Sequence, residues 1–548
     1  MRIREDADAT TLNPLNMKSS TDGYLSMKLF QSLLSFDFET LEMIPLLAEQ
    51  RPHIENLSSG KVKIAYTIRE KARWDNGQPI TADDVAFTLK VLKNPYSSNI
   101  SAAAFYELIE DISYNPGSKS FEIIFSRKYI LNEISSGDFS ILPAHVYDTN
   151  AYLQDFSLKK LMSNDLNPKD IENLKKFNEE FNSVDFRSNK KFISGSGAYQ
   201  LEQWISGQRI VLRKKDRWWA DDLDSVSAIF QNNADLLVYE IIKDRTTAMV
   251  ALENGKIDLM TSVSPKDFKR WKNSKSMQQR FNFFSPDEIS YNYLGLNTSN
   301  TLLQDKEIRK AIQMGMDVEK IISAVLEGYA ETINGPVPKF FENHNDTLKP
   351  SLYSPEKAIE MLHEQGWKDE DKDGILEKNI DGKKELLSFD YLYYTDNDYR
   401  KFIALIIQED LKKIGIQLHL VPLEWGNFLN RLRNQDFDLF FGSKILAPVP
   451  RDHKSSFHSA SVSSGSNFAA YSNPALDLLI DSARSEMSKS KRKHLDWRIQ
   501  EIISEEVPYI YLFSGKERII VSNQFTNLNI SPLRPGYWEP GFQLRKEK

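Results

Sequence analysis

Acidic side chains at alternating positions mark the segment DEDKDG. Asp369, Asp371 and Asp373 take the first, third and fifth positions of a calcium-binding loop, and Gly374 takes the sixth, where such a loop turns sharply. The twelfth position, which needs a bidentate glutamate, is Ile380. The flanking residues indicate a hairpin and not two helices. The segment therefore leaves a calcium site and an ordinary hairpin loop as alternatives.

A second polar cluster combines Asp452, His453 and His458 in one loop. A metal site there would need further ligands that the sequence does not place, so an ordinary loop is the favoured interpretation. The segment HEQGW lacks the second histidine of the HExxH zinc pattern, and the chain contains neither a GxxxxGK(S/T) phosphate loop nor a GxSxG nucleophile elbow. We therefore expect a protein that is not an enzyme and that carries no resident metal and no cofactor.

The segment GSGAYQLEQWISGQRIVL at 195–212 predicts a glycine-containing loop followed by a hairpin. Because glycine has no Cβ, Gly195 and Gly197 would let the backbone around Ser196 approach a ligand closely. A plain hairpin explains the same residues, so both interpretations stay open.

The composition limits the classes of protein to which the chain can belong. Its 548 residues carry a net charge of −7, so two or three domains are expected and a basic nucleic-acid-binding surface is not. The absence of cysteine excludes disulfides, thiol catalysis and cysteine-based metal sites. No stretch approaches the roughly 18 consecutive apolar residues of a membrane helix. The start at Met1 shows no signal-peptide pattern, which leaves a removed export segment, a start inside the natural gene and a cytoplasmic protein as alternatives.

Helical and strand patterns alternate along the chain, which predicts a mixed α/β fold. Residues 79–93 predict a helix with Thr81 as its N-cap, residues 353–367 a second helix, and residues 401–421 a helix followed by a strand. Residues 150–190 are highly charged, which predicts an inserted helical excursion on the surface. No low-complexity linker is present, so we expect domains that exchange the chain several times.

Several segments together resemble the family 5 solute-binding proteins, the oligopeptide-, dipeptide- and nickel-type receptors of ABC importers. The matching segments follow in order over nearly the whole chain and are ATTLNPLN (9–16), YTIREKARWDNGQPITADDVAFTLK (66–90), GSGAYQLEQWISGQRIVLRKKDRWW (195–219), YEIIKDRTTAMVALENGKIDLM (239–260), LQDKEIRKAIQMGMDVEKIISAVLEGYA (303–330) and LKKIGIQLHLVPLEWGNFLNRLRNQDFDL (411–439). Six matching segments in the same order make a chance match improbable.

The resemblance implies an α/β, two-lobed periplasmic binding protein fold of type II, cluster C, with an additional satellite domain. The implied domains are lobe I (1–45, 191–284 and 505–548), the satellite domain (46–190) and lobe II (285–504). Hinge crossings near 281–290 and 503–512 would join the lobes, and the ligand would be enclosed between them.

The chain departs from the family at the positions that bind the termini of a peptide. Family members usually hold the α-ammonium group with an aspartate soon after the DFDL-like strand, and that position falls near Ala447. The tryptophan often found three residues earlier falls near Lys444, and the arginine that dipeptide receptors use for the ligand's carboxylate falls near Tyr394. Both charged contacts would then be missing, unless a shifted loop places Asp452 there. A buried ammonium group without a counter-ion is costly, so a free peptide terminus would bind poorly.

Further side chains of this chain are candidate ligand contacts. Lys444 and Arg451 would suit an anionic ligand. Aromatic side chains would suit an apolar or sugar-stacking pocket, although each has an alternative role in the core, and two polar residues lie in the opening segment and in the glycine loop. These candidates are Tyr291, Tyr293, Trp425, Phe468, Asn13 and Ser196.

The resemblance implies a peptide receptor that delivers its ligand to an ABC permease and ATPase complex. A receptor of the same fold for an oligosaccharide or a metal chelate is one alternative. A hydrolase and a sensory or chaperone-like binding module are alternatives from other classes. We expect a monomer, because closure needs free lobes, in the periplasm or at the cell surface. A lipid anchor stays open, because its cysteine would lie upstream of Met1.

Overall fold

The computed structural model of the chain describes residues 1–97, 105–163, 165–223, 227–395 and 398–545. Its β-strands are β1 (Arg2–Glu5), β2 (Leu34–Phe36), β3 (Met43–Pro45), β4 (His53–Asn56), β5 (Val62–Thr67), β6 (Ile109–Tyr114), β7 (Ser120–Phe125), β8 (Tyr199–Ile205), β9 (Arg209–Lys214), β10 (Leu236–Ile241), β11 (Leu259–Met260), β12 (Phe281–Phe284), β13 (Ser290–Leu296), β14 (Ala330–Thr332), β15 (Glu377–Ile380), β16 (Lys383–Leu386), β17 (Ser388–Tyr394), β18 (Gln417–Leu423), β19 (Leu439–Ile445), β20 (Tyr509–Gly515), β21 (Ile519–Ser522), β22 (Phe525–Thr526) and β23 (Gln543–Leu544).

The α-helices of the described residues are α1 (Ser20–Leu29), α2 (Ala82–Leu92), α3 (Asn132–Gly137), α4 (Ala144–Tyr147), α5 (Leu158–Leu161), α6 (Pro168–Phe181), α7 (Val184–Ser188), α8 (Arg245–Glu253), α9 (Pro265–Lys272), α10 (Lys275–Gln278), α11 (Lys306–Met314), α12 (Val318–Val325), α13 (Pro355–Glu364), α14 (Asp398–Lys412), α15 (Trp425–Arg433), α16 (Lys454–Phe457), α17 (Pro474–Ser485) and α18 (Lys489–Glu506). Within these residues, no helix is both long enough and apolar enough to span a bilayer.

The predicted helix boundaries follow from local chemistry. The N-cap of α2 is Thr81, whose backbone N–H donates to the Asp84 carboxylate at 2.9 Å and so closes the first turn. Helix α13 begins at a proline, which needs no backbone donor there. Between α14 and β18, Gly415 has a φ of +76°, a conformation that glycine adopts without strain. The three helices predicted from capping and periodicity are confirmed.

The chain divides into two compact units. Unit 1 comprises Met1–Val263, Lys272–Phe284 and Arg518–Lys548, and unit 2 comprises Ser264–Trp271 and Ser285–Glu517.

Unit 1 contains two main sheets that share one hydrophobic core. The seven-stranded mixed sheet has the order β12-β21-β11-β1-β10-β9-β8, and a four-stranded antiparallel sheet has the order β4-β5-β7-β6. A single cluster of buried apolar side chains includes Ile3 and Val521 from the seven-stranded sheet and Ile64 from the four-stranded sheet. The division of this unit into a lobe and a satellite domain at residues 46 and 190 stays a prediction.

The charged segment 150–190 is helical, as predicted, but it is not confined to the surface. Helix α6 buries Leu174, Phe177 and Phe181 in the core of unit 1. The Phe177 ring lies 6.1 Å from that of Phe87 on α2. Charged residues cover only the outer side of the helix, so the high charge of the segment hid an apolar stripe that contributes to the core.

Unit 2 is built on a six-stranded mixed sheet with the order β14-β20-β13-β19-β17-β18. Strand β17 runs parallel to β18 and β19, whereas β13 runs antiparallel to β19 and β20. One face of the sheet packs with α11 to α14 in a core that includes Leu294, Phe389, Phe441 and Leu512. Side chains that alternate with these residues point to the opposite face.

The unit boundaries differ in two places from the division expected from the sequence. Strand β20 pairs with β13 in the sheet of unit 2, and the chain returns to unit 1 after Glu517, whereas the resemblance implied a crossing near 503–512. Residues 264–271, which were expected in lobe I, belong to unit 2, where the Phe268 ring lies 5.2 Å from Tyr329. Both differences involve contacts distant in sequence, which local patterns do not report, and the lobes and hinge crossings implied by the resemblance stay predictions.

Candidate functional site

The carboxyl ends of three parallel strands meet at one edge of the sheet of unit 2. Tyr394 ends β17, Trp425 follows β18, and Lys444 lies near the end of β19. Antiparallel β13 begins at the same edge, because its Tyr291 pairs with Lys444. Ligands of α/β proteins bind at this end of parallel strands, where loops rather than strands shape the surface. We call this region the carboxyl edge.

An aromatic cluster lies at the carboxyl edge. The Tyr394 ring is 4.8 Å from Trp425 and 5.3 Å from Phe428, both on α15. Phe440 of β19 joins the cluster at 6.2 Å from Phe428, and Phe468 lies 6.2 Å from Phe440. Trp425 is the first residue of α15 and is 52% exposed, so its ring is available to a ligand.

Arg400 was not identified from the sequence and lies directly on Tyr394. Its guanidinium carbon is 3.7 Å from the centre of the Tyr394 ring, and its Nη2 donates to the Tyr394 hydroxyl. The Arg400 side chain is buried, and this burial lowers its pKa to about 10, so it remains charged at neutral pH. The resemblance placed an arginine near Tyr394, and the first turn of α14 brings one there from six residues further along the chain.

Four tyrosines form a row on the same face of the sheet. The Tyr291 ring lies 5.7 Å from Tyr293 and 5.5 Å from Tyr511, and Tyr293 lies 5.1 Å from Tyr509. A Cβ at Gly442 would be 2.3 Å from Tyr293 Cζ, so the missing side chain makes room for this ring. Tyr509 and Tyr511 were missed, although their alternation in YIYLF is the signal that would have placed them on one face.

Burial determines the protonation of this row. It raises the pKa of Tyr291 to about 12, although the nearby Arg451 charge opposes the rise, and it also raises the pKa of Tyr293 and of Tyr511 well above the ordinary value. All three therefore keep their hydroxyl hydrogens at neutral pH and act as donors as well as acceptors.

Two basic side chains lie beyond the tyrosine row. Lys444 Nζ donates to the Ser456 hydroxyl, and the Arg451 guanidinium lies 5.8 Å from the Phe341 ring. Burial, with a smaller contribution from Arg451, lowers the pKa of Lys444 to about 8. Burial also lowers the pKa of Arg451.

The candidate positions for a peptide ammonium carry no available carboxylate. Ala447 is exposed, and its side chain has no charge. Asp452 receives a hydrogen bond from Arg484 Nε at 2.9 Å and another from the backbone N–H of Lys454 at 2.9 Å. Asp452 therefore forms an ion pair with Arg484, and its contact with a peptide ammonium group stays a prediction.

Asn13 and Ser196 lie in unit 1, whereas the other eight candidate residues lie in unit 2. Asn13 is fully buried and its side chain accepts from the backbone N–H of Leu15 at 3.1 Å, which stabilises a local turn. The backbone carbonyl of Ser196 accepts from the indole N–H of Trp218 at 2.7 Å and of Trp219 at 2.9 Å. A role in ligand binding stays a prediction for both residues.

The glycines that flank Ser196 allow contact with α1. A Cβ at Gly195 would lie 2.2 Å from the Leu29 carbonyl oxygen, and one at Gly197 would lie 2.2 Å from the Lys28 carbonyl oxygen. The backbone N–H of Gly197 donates to the Leu29 carbonyl at 2.9 Å. These glycines therefore permit a close backbone approach to α1, and an approach to a ligand stays one of the two predicted alternatives.

The acidic loop before β15 forms the hairpin that was one of the two predicted alternatives. Lys368 and the first residue of β15 exchange backbone hydrogen bonds across it. Four carboxylate groups cluster in this loop, and their oxygens lie within 4.8 Å of one another. They belong to Asp369, Asp371, Asp373 and Glu377. Among the residues that the structure describes, this is the one cluster of three or more potential metal ligands. Lys384 Nζ lies 2.6 Å from Asp371 and 3.1 Å from Glu377, so an ammonium group already offsets part of their charge.

The histidines of the polar loop lie near separate carboxylates. His453 Nε2 lies 3.5 Å from Asp496, and both side chains are buried. His458 Nε2 lies 3.4 Å from Asp481 and its Nδ1 lies 3.6 Å from Asp477. The ordinary-loop interpretation fits this arrangement, because the two histidines lie near different carboxylates.

The fold and the carboxyl edge define a protein of the solute-binding class. The family model of the bacterial extracellular solute-binding proteins, family 5 (middle), matches residues 42–467. The chain belongs to this family, and it has the α/β fold of the periplasmic binding proteins that the sequence predicted.

Relatives and solved structures match over nearly the full length. The oligopeptide-binding protein AppA of Bacillus subtilis (strain 168) is 28% identical over 529 residues, which cover 95% of this chain and 88% of AppA. The dipeptide-binding protein of Escherichia coli (strain K12) is 24% identical, with 94% of this chain and 89% of the relative covered.

Among solved structures, AppA of Bacillus subtilis in complex with a nonapeptide matches with a TM-score of 0.72 and 26% identity, covering 100% of this chain and 99% of AppA. NikA of Brucella suis in complex with Fe(III)-EDTA has a TM-score of 0.77 at 20% identity, with full coverage of both chains, which shows the shared fold.

Proposed function

We propose that this chain is the peptide-binding receptor of an ABC importer. The observation that carries the proposal is the Arg400 guanidinium held against Tyr394 beside the exposed ring of Trp425 at the carboxyl edge. Relatives named as oligopeptide- and dipeptide-binding proteins support the choice of ligand.

The chemistry of this edge suits a peptide of variable sequence. A guanidinium presents several N–H donors in one plane, which suit the carbonyl and carboxylate oxygens that every peptide carries. The exposed ring of Trp425 offers a flat apolar face that can bury ligand side chains without requiring one particular shape. Affinity would then depend on features common to all peptides, and side chains would add smaller contributions.

The remaining parts of the proposal concern partners and location. The receptor acts without catalysis, as a monomer outside the cytoplasmic membrane, in the periplasm or anchored at the cell surface by a lipid. It delivers its ligand to an ABC permease and ATPase complex. Membership of an extracellular solute-binding family supports these statements. The receptor needs two conformational states, and the bound peptide makes more contacts with one of them. Binding then shifts the population of the receptor toward that state.

Mass spectrometry of the purified chain tests the proposal. The protein is measured first under native conditions and then after denaturation. We expect a mixed set of peptide masses that are released only on unfolding. As a control, protein that has been unfolded, dialysed and refolded should lose these masses and regain them from an added peptide pool.

Two outcomes would contradict the peptide assignment. One is a single non-peptide mass, such as an oligosaccharide or a metal chelate, which would keep the family and change the ligand. The other is a refolded protein whose melting temperature no peptide pool raises, since a bound ligand stabilises the folded state by mass action.

A further inference from the structure

Two cations of the carboxyl edge lack a carboxylate partner. Among the residues that the structure describes, no carboxylate oxygen lies within 4.0 Å of Lys444 Nζ or of the Arg451 guanidinium. Both side chains are only partly exposed, and the charge of Arg451 acts on Lys444. Two positive charges that are partly removed from water and lack a counter-ion raise the free energy of the unliganded protein.

The nearest acidic side chains are engaged elsewhere. Asp452 accepts hydrogen bonds from Arg484 and from the Lys454 backbone. Asp496 accepts from the Asn343 side chain at 2.8 Å. These carboxylates lie beyond ion-pair distance from Arg451 and act on it only through longer-range attraction. They therefore reduce the repulsion between Arg451 and Lys444 but do not cancel the charge of Arg451.

Two buried polar groups beside these cations also lack partners. Neither Arg451 Nε nor the Tyr511 hydroxyl has a hydrogen-bond partner among the described residues. The Tyr511 ring lies 5.5 Å from Tyr291, which pairs with Lys444 in the sheet. A protonated tyrosine can donate, and an arginine can donate through two nitrogens to both oxygens of a carboxylate. An anionic group at this place would satisfy donors that the protein leaves unused.

We infer that Lys444, Arg451 and the Tyr511 hydroxyl form a subsite for a carboxylate group of the ligand. This inference rests on the proposed function, since it names the kind of peptide that the receptor prefers. The carboxylate comes either from an acidic side chain or from the peptide's carboxyl terminus. The subsite is separate from Arg400, which lies on Tyr394 at the end of β17.

A set of peptide pools tests the inference on the full chain after its co-purified ligand has been removed. All pools are random hexapeptides. The first lacks Asp and Glu and has an amidated carboxyl terminus, the second includes Glu and is amidated, and the third lacks Asp and Glu but keeps a free carboxyl terminus. Retained peptides are identified by mass spectrometry, and the affinity of one retained peptide is compared by calorimetry with that of its amide analogue.

We expect the second or the third pool to be retained in preference to the first, and the preferred pool identifies the source of the carboxylate. Replacing that carboxylate by an amide should weaken binding to the natural chain by about tenfold to a hundredfold, the range expected for a charge-assisted hydrogen-bonded contact. In the K444M and R451M variants the ratio of the acid's affinity to the amide's affinity should fall to about threefold or less, because the positive charge that binds the carboxylate is gone.

Two further variants separate this subsite from other sources of charge. The ratio of acid to amide affinity should be unchanged in K383M, since Lys383 is 77% exposed on the β15–β16 hairpin. In R400M both peptides should bind more weakly, because Arg400 belongs to the proposed binding site, but the ratio between them should be retained. Both subsite variants should fold, because each removes a cation that has no carboxylate partner. If one does not fold, the other carries the test alone, with its melting curve as proof of folding.

The outcomes distinguish the two levels of the argument. Equal retention of all three pools, or an amide analogue that binds as tightly as the acid, would leave the peptide receptor intact and overturn the subsite. A ratio that persists in K444M and R451M but disappears in R400M would also overturn it, since the carboxylate would then bind Arg400. If the natural chain retained no pool at all, the proposed function would fail, and the subsite with it.

Discussion

At the residue scale, burial sets the charge and hydrogen-bonding capacity of the carboxyl edge. It raises the pKa of Tyr291 to about 12, and it lowers that of Arg400 to about 10 and that of Lys444 to about 8. The tyrosine and the arginine keep their ordinary forms at neutral pH. Lys444 is the group among these whose charge changes near physiological pH, and it is therefore the most informative to titrate.

Lys444 should make the stability of the protein depend on alkaline pH. Its pKa is lowered by burial and by Arg451, from 10.5 to about 8 in the folded chain. Between these values the unfolded chain binds more protons than the folded chain, so the free energy of unfolding rises with pH. We expect urea unfolding to show that the free energy of unfolding of the natural chain rises relative to that of K444M from pH 8 to pH 10.

The comparison with K444M removes the contributions of other groups that titrate in the same range, including the nearby tyrosines. Asp452 opposes the shift of Lys444, and Arg451 adds to it. A difference between the two proteins that stays constant over this pH range would show that Lys444 has an ordinary pKa in the folded state.

Trp425 should contribute to binding and little to stability. Its ring is 52% exposed and stacks on Phe428 at 5.9 Å. We expect Trp425→Ala to weaken peptide binding by about tenfold, the loss expected for an aromatic contact in a binding site, and to leave the melting temperature nearly unchanged. Calorimetry with a retained peptide and a thermal melt measure the two effects.

Phe402→Ala is the matched control for this variant. Phe402 is 55% exposed on α14, so its removal deletes a similar aromatic surface outside the aromatic cluster. Similar losses of affinity in both variants would mean that the cluster has no special role in binding.

At the scale of elements, close packing of backbone against backbone decides where several segments lie. The loop that contains Gly195 and Gly197 contacts the end of α1, where each missing side chain makes room for a carbonyl oxygen. Such contacts fix the position of a loop more rigidly than side-chain packing, because a backbone carbonyl cannot change rotamer.

Gly197→Ala should therefore destabilise unit 1. Its Cβ would lie 2.2 Å from the Lys28 carbonyl oxygen, and we expect the free energy of unfolding to fall by about 1–3 kcal/mol, as overpacked sites do. Gly23→Ala on α1 is the control, because its Cβ would meet only Met17 Sδ at 3.7 Å. We expect that change to stabilise α1 by about 0.5–1 kcal/mol. Denaturant unfolding compares the two, and equal stabilities would show that the loop can move away from α1.

At the scale of the whole molecule, each unit has its own hydrophobic core. The core of unit 1 includes Phe125, and that of unit 2 includes Phe441. A chain of this size with two cores is not expected to unfold in a single two-state step. Calorimetry should therefore give an enthalpy of unfolding larger than the van't Hoff value.

Single core substitutions should act on one unit at a time. We expect Phe441→Ala and Phe125→Ala each to cost about 3–5 kcal/mol and each to lower a different part of the calorimetric transition. Each variant is the control for the other. If both lowered the whole transition equally, the units would unfold cooperatively and the two cores would not be thermodynamically independent.

Much of the fold was predictable because it depends on neighbouring residues. The helices begin at Thr81 and Pro355 because capping groups and proline act within one turn, and the strand after Gly415 follows from a turn that glycine permits. The order of six matching segments predicted the family, which the family match over residues 42–467 confirmed.

The sequence alone determined the class of the protein, the main helices and the candidates at the ends of three strands. Tertiary structure decided which side chains meet, because contacts between distant strands depend on sheet register and not on local pattern. Register placed Tyr291 opposite Lys444, strand order placed β20 in unit 2, and the position of the first turn of α14 brought Arg400 onto Tyr394. Tertiary structure also placed the glycines beside Ser196 against α1, because backbone contact between segments far apart in the chain appears only after folding.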